Sequence, residues 1–235
     1  GDVSDESELR ATSFHVVRDE HFFEGSKGVK VMTKTRAIAI DRQAKTVRVE
    51  NVDSGEQQEL PYDQLMLATG SKPFELPIPG ATLDGVFSIA NLHKAIEIKS
   101  RIAQGKVSKA VVIGGGAIGI EMAEALTDLW GVETSLLELA PQLLPRIVDR
   151  HFSDMLKKHL LDKGVAVYTR ESATELLDNG SGKVCAVKTA QRTLEADLMI
   201  MAVGVRPRSE LAKEAGLDVA PWGGIRVNRR MQTSD

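Results

Sequence analysis

The sequence predicts an α/β fold with a parallel sheet, and three features indicate it. A β-branched run at 111–113 ends in three glycines and leads into an apolar segment with helical spacing. Strand-like and helix-like segments alternate from 110 to 169, as they do in βαβ units. Two similar segments, 63–73 and 197–207, lie on either side of this region. We therefore expect a doubly wound domain inserted between two pieces of another domain.

The first 90 residues predict a short helix followed by antiparallel strands. The helix is expected near residues 13–23, and alternating apolar residues predict a meander of strands over 29–41 and 45–51. A buried strand is predicted at 65–68. The proline-rich stretch 73–80 that follows is typical of a linker.

From Asn91 onward the apolar spacing is helical, and Gly105 is typical of the residue that closes a helix. A second helix is predicted to begin after Asp149 as its N-cap and to end at Gly164. The other predicted elements of this region are strand 110–113, helix 117–129, strand 132–137, strand 165–169, a hairpin turn at 179–182 and a buried strand at 198–202.

The segments 63–73 and 197–207 share one pattern. Each has an acidic residue, an apolar strand and then Ala-x-Gly-x-x-Pro. The glycine allows a neighbouring backbone to come close, and the proline ends the strand. We interpret the two segments as the incoming and outgoing strands of the inserted domain.

Composition excludes several classes of protein. The 235 residues are 42% hydrophobic and 27% charged, with a net charge of −3, whereas nucleic-acid-binding domains are usually basic. No apolar run is long enough to span a bilayer. The one cysteine, Cys185, predicts a small core residue in a reducing, cytoplasmic protein. The five histidines show no metal-binding spacing, so we expect no metal site.

The glycine run fits the pattern G-x-G-x-x-G, and each glycine has a physical role there. Gly114 allows the tight turn out of the strand, Gly116 lets a pyrophosphate approach the backbone, and Gly119 lets the helix pack closely on the sheet. The helix N-terminus would present free N–H groups to the phosphates. The predicted binding turn also includes three intervening residues, Gly115, Ala117 and Ile118.

An acid follows at the end of the next strand. Glu138 lies 24 residues after Gly114, where it is expected to accept hydrogen bonds from ribose hydroxyls. Its charge would repel a 2′-phosphate, and no basic residue follows it before Arg146, so NAD(H) is favoured over NADP(H). A P-loop is excluded because no Lys-Ser/Thr follows the glycines. The residues alone leave FAD and a methyltransferase cofactor as alternatives.

Six stretches of the chain resemble the pyridine nucleotide-disulfide oxidoreductases, flavoproteins related to glutathione reductase and lipoamide dehydrogenase. The likeness is greatest to the branch with coenzyme A-disulfide reductases, NADH oxidases and NADH-dependent persulfide reductases. The stretches are YDQLMLATGSKP (62–73), PIPG (77–80), VVIGGGAIGIEMAE (111–124), LLELAPQLLP (136–145), ADLMIMAVGVRPR (196–208) and GGIRVNRRMQTSD (223–235).

The resemblance implies a Rossmann-like NAD-binding domain within an FAD domain, and it makes the glycine turn the NAD site. Glu121 would lie near the nicotinamide and the flavin, and the backbone at Val203 and Gly204 would pass close to the nicotinamide. The flavin domain would contribute three more cofactor-binding residues, Ala68, Thr69 and Gly70.

The resemblance also implies a division into domains. Residues 1–90 would be a partial FAD-domain segment with the meander, 91–207 the NAD(H)-binding domain, and 208–235 a partial return segment of the FAD domain. The family's FAD fingerprint, redox-active cysteine and dimerisation domain are missing, so we expect a fragment without a catalytic residue of its own. Ala117 stands where close relatives often have an aromatic residue that screens the flavin, so oxygen reactivity is not expected from the resemblance.

The expected parent protein is a homodimeric enzyme that passes hydride from NADH to FAD and electrons onward to a disulfide, a persulfide or a similar acceptor. The fragment alone would bind NADH and be inactive. Two alternatives remain at this point. One is a stand-alone dinucleotide-binding module, and the other is part of a ferredoxin- or rubredoxin-reductase-type flavoprotein, which needs no redox-active cysteine.

Overall fold

A computed structural model describes residues 6–89 and 91–235. The chain forms two compact units: one runs up to Gly70 and resumes at Pro207, and the other comprises Ser71–Arg206. The domain ranges predicted above assign each part of the chain to the FAD domain or to the NAD(H)-binding domain. This assignment of cofactors to ranges remains a prediction. No helix within the described residues is long and apolar enough to cross a membrane.

The strands, in chain order, are β1 (Thr35–Asp41), β2 (Thr46–Asn51), β3 (Gln57–Pro61), β4 (Ser71–Pro73), β5 (Val86–Ser88), β6 (Lys109–Ile113), β7 (Glu133–Glu138), β8 (Ala166–Thr169), β9 (Glu175–Asp178), β10 (Val184–Lys188), β11 (Thr193–Glu195), β12 (Leu198–Met201) and β13 (Val205–Pro207). The helices are α1 (Glu20–Lys27), α2 (Leu92–Ala103), α3 (Ala117–Asp128), α4 (Arg150–Asp162) and α5 (Glu210–Glu214), and a 3₁₀ turn covers Glu6–Arg10.

A five-stranded parallel sheet forms the centre of the unit Ser71–Arg206, with strand order β5-β12-β6-β7-β8. Apolar side chains of α2, α3 and α4 pack on one face of it, around Val112 and Leu136. The antiparallel strands β9, β10 and β11 contribute to the core on the other face, around Val111 and Leu137. The predicted parallel sheet is confirmed, and the hairpin predicted around 179–182 corresponds to β9 and β10, which form an antiparallel meander with β11.

Strand order determines where a ligand can lie. From β6 the chain passes through α3 to β7 on one side, while β12 pairs with β6 on the other side. This reversal is a topological switch point, and ligands of open α/β sheets bind beyond the carboxyl ends of the strands at such a point. The glycine turn at 114–116 directly follows β6, so it lies at this edge.

Two helix starts were predicted correctly because each has a side-chain cap. Asn91 precedes α2 and accepts a hydrogen bond from the Lys94 N–H, and Asp149 does the same for the Phe152 N–H before α4. α3 differs, since it begins after Gly116 and no side chain caps it. Its first-turn N–H groups therefore have no partner from a capping side chain.

In the other unit, β1, β2 and β3 form an antiparallel sheet, and Val47 and Val49 of β2 are buried. The predicted strand at 45–51 is confirmed, but the strand predicted over 29–41 begins only at Thr35. The helix predicted near 13–23 is wrong in position, because Asp19 caps a helix that starts at Glu20.

The buried strand predicted at 65–68 is wrong. These residues form no strand, and Met66 is 88% exposed. The similar residues Leu198–Met201 are a fully buried strand because they lie between β5 and β6. An apolar run becomes a buried strand only where neighbouring strands accept its backbone hydrogen bonds, and none of the strands described pairs with 65–68.

The ends of the two similar segments do share a structure. Their last residues form β4 and β13, which pair with each other in a two-stranded sheet. The compact units change within these same stretches, at 70–71 and at 206–207. The repeated Gly-x-x-Pro pattern therefore marks the two places where the chain passes from one unit to the other.

Candidate functional site

A cleft of about 1060 Å³ lies beyond the carboxyl ends of the central strands in the unit Ser71–Arg206. Its wall is built from the turn after β6, the start of α3, the end of β7 and the loops after β8 and β12. Every residue that lines it belongs to this one unit. The cleft is large enough for a drug-sized or cofactor-sized ligand.

Two glycines of the turn are required by close backbone packing. Gly114 has φ +114°, and a Cβ there would collide with the Ala202 carbonyl oxygen of the neighbouring strand end. A Cβ on Gly119 would collide with the Gly114 carbonyl oxygen. These glycines bring α3 close against β6 and β12, as the pattern predicts.

Gly116 has a different role. A Cβ built on it would meet nothing within 4 Å, and the residue lines the cleft with ordinary backbone angles, φ −81° and ψ 179°. The space before the turn is therefore open, and the N-terminus of α3 faces it without a capping side chain. An open position at an uncapped helix N-terminus fits the phosphates of a dinucleotide.

Glu138 lies at the end of β7, half-buried, and lines the same cleft. Its Oε2 accepts a hydrogen bond from the Gly115 N–H at 2.6 Å, and its Oε1 accepts one from the Ala140 N–H at 2.6 Å. The carboxylate therefore holds the glycine turn and the next loop in place. Each oxygen has a second lone pair, so the carboxylate can also accept hydrogen bonds from sugar hydroxyls.

The loop after β7 was not expected to contribute to the site. The Leu144 N–H donates to the Gly115 carbonyl oxygen at 2.9 Å, which brings this loop against the glycine turn. Leu139 and Ile147 line the cleft and are 73% and 70% exposed. Arg146, the first basic residue after Glu138, also lines it. Isolated apolar residues in a loop have no periodicity that could have identified them from the sequence.

Two predicted residues, Val203 and Gly204, follow β12 and line the cleft on the side of β6 away from β7. Gly204 has φ +102°, and its carbonyl oxygen accepts a hydrogen bond from the Phe74 N–H at 2.9 Å. The Arg206 guanidinium lies 4.5 Å from the centroid of the Phe74 ring. Phe74 lines the cleft as well and was not among the predicted site residues.

Some predicted site residues lie elsewhere. Glu121 is exposed on α3 and does not line the cleft. In the other unit the Thr69 hydroxyl donates to the Arg208 carbonyl oxygen, and the Arg208 N–H donates to the Gly70 carbonyl oxygen at 2.9 Å. Ala68 is exposed beside them. The cofactor contacts predicted for these residues remain predictions.

Cys185 and a metal site are two further ways in which the chain could supply a reactive group. Cys185 is half-buried on β10 rather than in the core, and it does not line the cleft. Across residues 6–89 and 91–235, no group of three His, Cys, Asp or Glu side chains could hold a metal ion. What the cleft offers at the glycine turn is backbone N–H groups, the Glu138 carboxylate beside them and apolar walls, a set suited to binding a nucleotide.

The chain is similar to known proteins in sequence and in fold. The NADH oxidase of Methanocaldococcus jannaschii is 36% identical over 212 residues, which cover 90% of this chain and 46% of that protein. The NAD-dependent persulfide reductase from A. fulgidus superposes with a TM-score of 0.93 at 37% identity, covering 99% of this chain and 42% of that one. An FAD-dependent pyridine nucleotide-disulphide oxidoreductase from Desulfovibrio vulgaris has 46% identity and a TM-score of 0.79, covering 89% and 52%.

The chain therefore spans about half the length of the NADH oxidases that it matches, and about a quarter of the nitrite reductases. The names of these relatives mention FAD, NAD and NADH. The family model for the pyridine nucleotide-disulphide oxidoreductases matches residues 2–235, which is almost the whole chain. This chain belongs to the pyridine nucleotide-disulphide oxidoreductase family.

Proposed function

We propose that the unit Ser71–Arg206 binds NADH in the cleft, with its pyrophosphate on the glycine turn before α3. The observation that carries this proposal is the open position at Gly116, directly before an uncapped helix. The adenosine ribose then lies at Glu138, and the nicotinamide lies toward Val203 and Gly204, on the side of β6 away from β7. This orientation uses the polar groups that the cleft offers along its length.

The carboxylate of Glu138 favours NADH over NADPH, because it would repel a 2′-phosphate on the ribose it contacts. Arg146 lines the cleft but is exposed, and no ion pair orients it toward Glu138 within the described residues. Calorimetric titration of the purified chain with NADH and with NADPH tests both statements. We expect saturable binding of NADH and at least about tenfold weaker binding of NADPH, a difference of about 1.4 kcal/mol. Equal affinities would contradict the role of Glu138, and no binding would contradict the proposal.

We propose that a longer protein that includes this chain would bind FAD, which would supply the redox chemistry between NADH and a disulfide, a persulfide or a similar acceptor. The part up to residue 90 and the part from 208 would contribute to the flavin domain. The likeness to a persulfide reductase at 37% identity supports this class of acceptor. Here the cleft supplies binding and orientation, while the flavin supplies the redox chemistry.

The acceptor is tested with the longer protein, purified with its flavin. NADH oxidation is measured with a coenzyme A persulfide or disulfide and, separately, with an oxidised ferredoxin. We expect turnover with the sulfur acceptor. Turnover with the ferredoxin alone would identify the parent as a ferredoxin-reductase-type flavoprotein and would contradict the proposed acceptor.

A further inference from the structure

One charged side chain of the cleft is buried and has no part in the site described so far. Glu171 follows β8 and is 5% exposed, yet it lines the cleft. Its backbone N–H donates to the Glu138 carbonyl oxygen at 3.0 Å, so it lies next to the proposed ribose site. A buried carboxylate is costly unless it is paired, and its position therefore needs a reason.

The turn between β10 and β11 holds this carboxylate by one oxygen. Glu171 Oε1 accepts hydrogen bonds from the Thr189 hydroxyl at 2.7 Å and from Arg192 Nε at 3.0 Å. The Arg192 guanidinium in turn lies 4.3 Å from the centroid of the Tyr168 ring. Charge-assisted hydrogen bonds of this kind fix the orientation of the group.

The second oxygen, Oε2, is left for a ligand. No described residue donates a hydrogen bond to it. Oε2 is nevertheless not a fully buried atom without a partner, because the one such side-chain oxygen or nitrogen in 6–89 and 91–235 is Thr127 Oγ1. Glu171 Oε2 therefore keeps some accessible surface, and Glu171 is one of the residues that line the cleft. The result is a fixed, anionic hydrogen-bond acceptor.

The surroundings suit a planar aromatic ring. Leu139, which follows Glu138 in the chain, and Ile147 line the same cleft, and both are largely exposed. Large exposed apolar side chains in a cleft are typical of a binding surface. With the pyrophosphate at Gly116 and the ribose at Glu138, the base attached to that ribose would lie near Glu138, and the backbone hydrogen bond between Glu171 and Glu138 keeps Glu171 next to this position.

We propose that Glu171 determines the specificity of the cleft for adenine by accepting a hydrogen bond from the exocyclic N6 amino group. This inference rests on the proposed function, because it assumes that a dinucleotide binds with its ribose at Glu138. Hypoxanthine carries a carbonyl oxygen in place of the amino group. That oxygen cannot donate to a carboxylate, and it would leave the buried acceptor unpaired.

The wild-type chain is titrated with NADH and with nicotinamide hypoxanthine dinucleotide in its reduced form. We expect the hypoxanthine analogue to bind about tenfold more weakly or worse, within the range for a lost hydrogen bond to a charged group. This comparison needs no variant and is independent of any folding defect. Discrimination of less than about twofold overturns the inference and leaves the proposed function standing. Absence of binding for both dinucleotides overturns the two together.

The variant E171Q localises the effect. Its amide can accept from an amino group and donate to a carbonyl, so the preference for NADH should shrink to less than about threefold. E175Q is the matched control, because Glu175 pairs with Lys188 on the same meander and does not line the cleft. The control should keep the wild-type preference. A folded E171Q protein with undiminished preference would assign the discrimination to another residue and overturn the inference.

Discussion

Gly116 and Gly119 are three residues apart, and the same residue type serves opposite needs at the two positions. At Gly119 a side chain would collide with the Gly114 carbonyl oxygen, so the fold itself excludes one. At Gly116 there is no neighbour within 4 Å, so the fold has room for a side chain and only a ligand in the cleft would be displaced by it. Stability and binding should therefore separate at these two positions.

Substituting each of the two glycines separately tests whether stability and binding separate. Gly116→Val should abolish NADH binding while the melting temperature stays within about 2 °C of wild type, because a surface change of this kind costs at most about 0.5 kcal/mol. Gly119→Ala should destabilise the fold by about 1–3 kcal/mol through overpacking. Thermal melts and NADH titrations of both variants measure the two effects. NADH binding of wild-type strength in Gly116→Val would refute the position assigned to the pyrophosphate.

Glu138→Ala removes both the proposed ribose contact and the hydrogen bonds to the Gly115 and Ala140 N–H groups. We expect NADH binding to weaken by roughly 1.5–3 kcal/mol, the range for hydrogen bonds to a charged group. Glu133→Ala is the matched control, since Glu133 lies exposed at the other end of β7. Calorimetry should show an unchanged affinity for the control. An unchanged affinity for Glu138→Ala as well would argue against the ribose assignment.

At the scale of the elements, the start of the central strand β12 is held by hydrogen bonds to Asp197, the acidic residue directly before it. Asp197 Oδ2 accepts hydrogen bonds from the Ser108 N–H at 2.9 Å, the Ser108 hydroxyl at 2.8 Å and the Lys109 N–H at 3.1 Å. It thus connects the starts of β12 and β6. Partial burial acts to raise the pKa of Asp197, but the hydrogen bonds from Ser108 and Lys109 lower it by more, so its pKa lies below the ordinary value.

A lowered pKa makes this contribution depend on pH. The folded state holds the proton of Asp197 more weakly than the unfolded chain, so the stabilisation is fully present above the unfolded pKa of about 4 and is lost as pH falls through the lowered folded value. Asp197→Ala should cost about 1 kcal/mol at pH 7, because the group is partly exposed, and the difference from wild type should shrink below about pH 4. Urea denaturation across this range measures it, with Glu133→Ala as the control. A difference that grows in acid would contradict the assignment.

At the scale of the whole molecule, the chain has two compact units and a single G-x-G-x-x-G turn. The turn lies in the unit Ser71–Arg206, where we propose that it binds NADH. The chain spans about half the length of the NADH oxidases that it matches. The other unit is therefore expected to contribute to a flavin domain only in a longer protein.

Purified polypeptide of this sequence should bind NADH without retaining stoichiometric FAD, and it should not oxidise NADH with a disulfide acceptor. The physical reason is that one dinucleotide turn serves one dinucleotide. An absorbance spectrum in the flavin region and an NADH oxidation assay, each repeated after addition of excess FAD, check this expectation. A stoichiometric yellow chromophore would show that the chain builds a flavin site that we have not identified.

The apolar periodicity, the side-chain caps and the glycine spacing of this sequence are local signals, and they were enough to predict the parallel sheet, α2, α4 and the turn before α3. Each of these depends on residues close together in the chain, such as Asn91 and the helix that it caps. The prediction at 65–68 was wrong because a strand also needs neighbours, and a local pattern contains no information about them.

The sequence by itself therefore determined the fold class, the family and the position of the glycine turn between β6 and α3. Only the tertiary structure brought Glu138 against the Gly115 N–H and placed Glu171, Leu139 and Ile147 along one cleft. Glu171 comes from a loop with no periodic pattern, and its partners Thr189 and Arg192 lie about twenty residues away on the meander. Contacts between residues so far apart are decided by how the sheet, the meander and the loops pack. Their spacing along the chain follows no local pattern, so the sequence alone did not predict them.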